Sequence, residues 1–437
     1  MKKKLLSAIS LLFIINCFSQ RYTPIDTNAV AEIKKFKEAL EIRHESNIDM
    51  IKDEFSGEKK RKLVSIYKDQ FETFTKDIEK GSLYYQKENQ NYLESVLNEI
   101  IVSNPELKSK KIFINFSRDT SPNAYSVGDG TLIVNFDLLN YLDSESELAS
   151  VICHEISHYV LNHRNKSVTN YVQNMISDET KQEEREIRKQ KYNSQKRAEK
   201  FVKTVIYSKT SKSREHEIQA DSLGVAFLKK TNYNQASVQK LLKHLDDCDK
   251  ETDTLKPEDY KKFFTTKNQK FIEEWFEKED FSKYKYSKEN IFKFDVDSLK
   301  THPDCSKRIE KIAEYKITES KKEFSVNENY FKKLKSVAVY ETIYNDFKKK
   351  KYGYCFYSCL KLLNKTPNDP FLQKTMSSCL TLLAKSKKDM KFNSYIPRIN
   401  PKDQTNAEQI FFNFMNNLTV NEIDRLSKDY EEITKNL

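Results

Sequence analysis

The chain has 437 residues, more than one ordinary domain, so two are expected. Its formal net charge is +11, but the charge lies in mixed-sign runs such as 181–203 rather than in a basic stripe, which argues against a nucleic-acid partner. Beyond the N-terminal segment no run approaches the ~18 apolar residues of a membrane span, so the mature chain should have none, leaving peripheral or lipid-anchored attachment.

The start, Met1-Lys2-Lys3-Lys4 followed by Leu5 to Ile15, has the basic and apolar regions of a secretory signal. Cys17 and Ser19 are small residues at −3 and −1, so cleavage before Gln20 is expected, with 1–19 as signal peptide and a periplasmic or secreted product. The other reading makes Cys17 a lipidated N-terminus, although Asn16 is a poor neighbour for that. Loss of Lys2 to Lys4 takes the formal charge from +11 to +8. Cys153, Cys248, Cys305, Cys355, Cys359 and Cys379 remain, and an oxidising compartment would permit disulfides whose connectivity stays open.

Residues 21–100 read as a mostly helical lead-in. Ile112 to Phe116 and Thr131 to Val134 read as short strands flanking Gly128 and Gly130, which suit a turn. Ser144-Glu145-Ser146-Glu147 has the form of a capping box, so a helix is predicted from there to about Asn162. Leu148, Ile152 and Ile156 recur every four residues and should face the core, pressing the opposite face into a cleft. That face carries His154-Glu155-Ile156-Ser157-His158. Imidazoles at i and i+4 share one helix face and can ligate a single Zn²⁺, with Glu155 beside them as general base.

A catalytic zinc needs a third protein ligand and an open position for water. Residues 165–213 read as a charged helical insertion or lid, and beyond it Glu217 and Asp221 again form an i, i+4 pair. Glu217 can complete a two-His, one-Glu set. Asp221 suits the carboxylate that accepts the free ring N–H of a ligating His. His163, five residues past His158, should point away from the metal face, and His216 is a poor co-ligand because it neighbours Glu217. Cys153 reads as a buried apolar filler.

Together these residues resemble the M48-type zinc endopeptidases. Ser121 to Tyr125 and Gly128 to Val134 are similar to that family's strand and hairpin before the metal helix. Glu217 to Asp221 with Gly224 is similar to its ExxAD block, and His302-Pro303-Asp304-Cys305-Ser306-Lys307-Arg308-Ile309 to its HPxxxxRI block. The resemblance covers roughly residues 90 to 315. It departs from many members in the charge of the segment before the ExxAD block. It implies a zincin-like α+β fold, mostly helical with a small β-sheet, and one Zn²⁺ per chain on His154, His158 and Glu217. Glu155, Asp221 and His302 are then the expected catalytic residues. His302 would approach the zinc or a substrate carbonyl, or else only pack. Asn123, Ala124, Tyr125 and Arg308 are expected at the substrate, Arg308 with a carboxylate nearby.

Past residue 325, Tyr352, Cys355, Cys359, Leu363, Pro367 and Asn368 fall at spacings similar to one degenerate tetratricopeptide repeat, with an unrelated helical hairpin as the other reading. The expected layout is a peptidase domain at 20–320, its insertion at 165–213, and an all-helical C-terminal domain at 325–437 that could hold protein partners. The function expected is hydrolysis of peptide bonds in exported polypeptides, with envelope quality control as its setting. The other class is a chaperone-like protein with minor or latent proteolysis.

Overall fold

The computed structural model describes residues 22–25, 29–189, 194–247, 251, 253–277, 305–315, 317, 322–400 and 404–437. The signal segment, Cys17, Cys248 and His302 lie outside the described residues. The chain divides into two compact units. One comprises Ile25–Asp249 and Ser282–Val339, and the other Lys250–Phe281 and Tyr340–Leu437 together with the N-terminal residues to Pro24.

The first unit opens with helices α1 (Val30–Glu54) and α2 (Gly57–Glu79), then strand β1 (Leu83–Tyr84) and helix α3 (Lys87–Ser103). Strands β2 (Phe113–Ser117), β3 (Ala124–Ser126) and β4 (Thr131–Asn135) follow, with β2 and β4 within a residue of the predicted strands. The sheet order is β1-β2-β4-β3; β2 and β4 are parallel, while β1 and β3 lie antiparallel on the two edges. Gly130 enters β4 at φ +95°, where a Cβ would sit 2.1 Å from the Lys111 carbonyl oxygen, so only glycine fits there.

Strand alternation gives the sheet two apolar faces. Ile114, Phe116, Leu132 and Val134 join the main core with helix α4 (Glu145–Val160). Ile133 and Leu83 face the other way, onto Phe36, Leu40 and Ile78 of the α1–α2 hairpin. In α4 the stripe Leu148, Ile152 and Ile156 is fully buried, as its period predicts. Each such side chain contributes roughly 1.5–3 kcal/mol, enough to fix the roll of the helix.

The α4 cap differs slightly from the predicted box. Ser144 accepts from the Glu147 N–H, but the Glu147 carboxylate takes the Asp143 N–H instead of that of Ser144. Glu145, fully buried in the first turn, accepts from Tyr92 and Tyr233 hydroxyls and from the backbone N–H groups of Ser325, Val326 and Asn327. It thereby ties a distant segment to the start of α4.

Helices α5 (His163–Ile176), α6 (Asp178–Lys189) and α7 (Ser194–Lys230) occupy the predicted charged insertion and run on into the Glu217 segment. Gly224 lets α7 lie directly on α4, since a Cβ there would come within 3.2 Å of the His154 backbone. Helices α8 (Ser237–Asp247) and α10 (Cys305–Ala313) pack beside them, with α9 (Pro257–Phe264) in the other unit; α11 (Glu328–Lys348) crosses the division at Tyr340.

The other unit is helical in its described residues: α12 (Tyr352–Lys365), α13 (Pro370–Lys388), α14 (Asn406–Asn417) and α15 (Val420–Thr434) join α9 around an aromatic core of Phe264, Trp275, Phe356, Phe411, Phe412 and Phe414. Mostly helical, with a small mixed sheet and a helical C-terminal region, the protein has the expected α+β class. Cys153, Cys305, Cys355, Cys359 and Cys379 are all free thiols. No helix of the described residues is long and apolar enough to cross a membrane.

Candidate metal centre

Helix α4 presents His154 and His158 one turn apart, their Nε2 atoms 3.0 Å from each other. From α7, Glu217 brings Oε2 to 3.5 Å from His154 Nε2 and Oε1 to 3.4 Å from His158 Nε2. Donors bound at about 2.0–2.1 Å around a tetrahedral zinc ion lie roughly 3.3 Å apart. The three atoms therefore already stand at the mutual spacing such an ion needs, and the two-nitrogen, one-oxygen set suits zinc.

Each imidazole is held by a partner on its other nitrogen. His154 Nδ1 faces Asp221 Oδ1 at 2.9 Å, which leaves Nε2 turned to the centre. Burial disfavours a charged His154, but the Asp221 and Glu217 carboxylates outweigh it and raise the metal-free imidazole to about 10. Asp221 is itself gripped by Arg308, whose Nε and Nη2 donate to its two oxygens at 2.7 and 2.6 Å. Burial alone would raise the Asp221 carboxyl; the Arg308 fork and His154 reverse this and hold it below its ordinary value. Arg308 Nη1 also lies 3.5 Å from Glu217 Oε2, so one guanidinium bridges both carboxylates.

His158 is oriented by a residue that helical counting placed elsewhere. His163 does not point away to the surface: it is 3% exposed, and its Nδ1 lies 3.0 Å from His158 Nδ1. The helix stops at Val160, and Asn162 adopts a left-handed conformation, φ 56°, that turns the chain so that α5 starts at His163 beneath the metal face. A count of 100° per residue cannot cross that break. Gln219 Oε1, 3.0 Å from His163 Nε2, is acceptor only, so His163 carries its proton on Nε2 and accepts at Nδ1 from His158. The free lone pair of His158 is then on Nε2, towards Glu217. Burial is the main force lowering His163 to about 4, which keeps it neutral near pH 7. His216 stacks on His163, ring centroids 4.2 Å apart, rather than joining the donor set.

Apart from Gln219, these groups line one cleft of about 710 Å³. Glu155 lines it beside His154 and His158, as do Asn123, Ala124 and Tyr125 around edge strand β3. Arg308 reaches its wall while bound to Asp221, and Val238, Leu241, Leu242 and Leu245 of α8 give it an apolar side. Each predicted site residue within the described part is thus in this cleft; His302 lies outside that part. His163 and Gln219 are the residues of this hydrogen-bonded cluster that the sequence reading missed. Asn162, a residue tolerant of left-handed backbone, was the one local signal that the helix ended before His163.

The family model described as Peptidase family M48 matches residues 87–316, which include β2 to β4, α4 and α7. A comparison with curated proteins gives no match.

Proposed function

The chain belongs to peptidase family M48, whose members are zinc-dependent metallopeptidases, and on that premise we propose that it is a zinc endopeptidase acting on exported polypeptides. The observation that carries this reading is the convergence of His154, His158 and Glu217 within 3.0–3.5 Å in a cleft that Glu155 also lines. Those three residues would hold one Zn²⁺ per chain. When bound, the ion supplies a Lewis acid that polarises the scissile carbonyl and acidifies water. Glu155 takes the proton from the attacking water and returns it to the leaving amine. Asp221 and His163 keep the two imidazoles in the tautomers that ligation requires. Arg308 acts through Asp221 and Glu217, holding the two carboxylates of α7 in place.

An extended substrate pairs with β3, an edge strand among the described residues, at Asn123 to Tyr125. Main-chain pairing reads little sequence, which suits cleavage of unfolded or mis-assembled proteins in envelope quality control. A signal peptide at 1–19 with cleavage before Gln20, or lipidation at Cys17, delivers the protein there. The peptidase domain at 20–320 and a tetratricopeptide-like helical domain at 325–437 for protein partners complete this reading, with His302 at the zinc or the substrate carbonyl.

Glu155→Gln is the test, because the amide preserves shape and removes the base. The variant should retain zinc and lose hydrolysis of an unfolded casein substrate. Full activity in the zinc-loaded variant would refute the mechanism.

A further inference from the structure

Behind edge strand β3 lies a second cavity of about 110 Å³, walled by Leu40 and His44 of α1, Tyr67, Phe71 and Phe74 of α2, and Val127. Asn47, Gln70, Asp129, Arg164 and Asn165 stand at its margin, and Tyr67 donates to Asn165 Oδ1 at 2.6 Å. Asp129 pairs with Arg43 at 3.1 Å, and Arg164 donates to Gln70 Oε1 at 3.0 Å. The larger part of the enclosure is apolar, with the His44 ring stacked on Phe71 at 4.1 Å. At about 110 Å³ it is smaller than the ~150 Å³ apolar cavity that holds a benzene molecule, so an isobutyl group fits inside it and an aromatic ring enters only part-way, with its edge at the mouth.

Tyr125 and Arg164 line both this cavity and the metal cleft, so the two spaces meet around the sheet edge. The register defines which way each faces. Tyr125 pairs with Ile133, whose side chain lies on the hairpin face, whereas Ala124 and Ser126 pair with Val134 and Leu132 on the α4 face. A strand added to the edge of β3 would alternate in the same way, sending every second side chain towards the hairpin.

We propose that the α1–α2 cavity is a specificity subsite that receives one large apolar side chain, aromatic or branched aliphatic, of the bound polypeptide. This rests on the reading of the cleft as a peptidase site with its substrate paired to β3. Helices α1 and α2 precede the matched residues 87–316, whereas Tyr125, Val127 and Arg164 of the same cavity lie within them.

The experiment gives the zinc-loaded protein peptides in which each position in turn is Ala, Leu, Phe or Lys. At one position Phe or Leu should be favoured over Ala and Lys by about 10- to 200-fold in kcat/KM. Asn47→Trp, which fills the cavity from half-buried α1, and Phe71→Ser, which removes its wall, should each reduce that ratio to about threefold or less, with zinc content reporting that the fold is kept. No apolar preference at any position, or a preference that folded variants retain, overturns the subsite. If the wild type cleaves no peptide, the peptidase reading fails by itself, and binding to Glu155→Gln decides the subsite. A Phe peptide should then bind about tenfold or more tighter than its Ala analogue, and lose that advantage in Asn47→Trp; equal binding overturns it.

Discussion

His163→Phe tests the assignment that rests most on the tertiary structure. The substitution keeps a ring of similar size but deletes the Nδ1 acceptor 3.0 Å from His158 Nδ1. On the other side, the exposed Gln219 amide recovers its lost partner from water, so the cost falls on His158. A buried donor left unsatisfied costs about 1–3 kcal/mol. Loss of an outer partner that fixes a ligand's tautomer weakens metal binding by about 10- to 100-fold, or roughly 1.4–2.7 kcal/mol, and the two ranges agree. Zinc Kd of the purified variant, measured by competition with a chromophoric chelator, should rise by that factor while the circular dichroism spectrum is unchanged. His163→Gln, which offers a carbonyl acceptor in its place, should recover part of the loss. His216→Ala removes only the stacked ring and should shift Kd by about threefold or less. A folded His163→Phe protein with wild-type zinc affinity would refute the relay.

Metal analysis should find one zinc per wild-type chain and a loss of zinc in His158→Ala and Glu217→Ala; retention in both would remove the ligand assignment. Asp221→Asn should weaken zinc by about 10- to 100-fold without abolishing it, and complete loss in a folded protein would make Asp221 a ligand. The metal-free His154 imidazole, raised to about 10, is protonated at pH 7, so zinc must displace its proton. Calorimetry in buffers of different ionisation enthalpy should therefore show about one proton released per zinc, with affinity rising towards pH 10. The same raised value means the metal-free protein keeps this contribution to stability below pH 6.5 and loses it as pH rises towards 10; affinity flat across that window would refute the ion pairing. Glu145→Ala strands buried donors that meet on one carboxylate and should lower the urea unfolding free energy of its unit by about 3–5 kcal/mol. A change below about 1 kcal/mol would show that water replaces the carboxylate.

The sequence by itself determined whatever depends on short-range periodicity. The i, i+4 spacing puts His154 and His158 on one face, the Leu148–Ile152–Ile156 stripe sets the roll of that helix, and β-rich runs beside Gly128 and Gly130 mark the sheet, because helix and strand geometry repeat within a few residues. Glu217 as a candidate third donor was legible too, since a zinc site would need one and an acidic pair on the next helical pattern could supply it. Only the tertiary structure decided what lies across a break or between distant segments. One left-handed residue, Asn162, reverses the direction of His163 and turns a presumed surface histidine into the hydrogen-bond partner of His158. Arg308 meets Asp221 across 87 residues, and the cavity joins Leu40 to Val127 between the hairpin and the sheet edge, a neighbourhood that neither segment reveals alone. Such contacts depend on the rigid-body placement of whole elements, fixed by the packing of the entire core rather than by any local run of sequence.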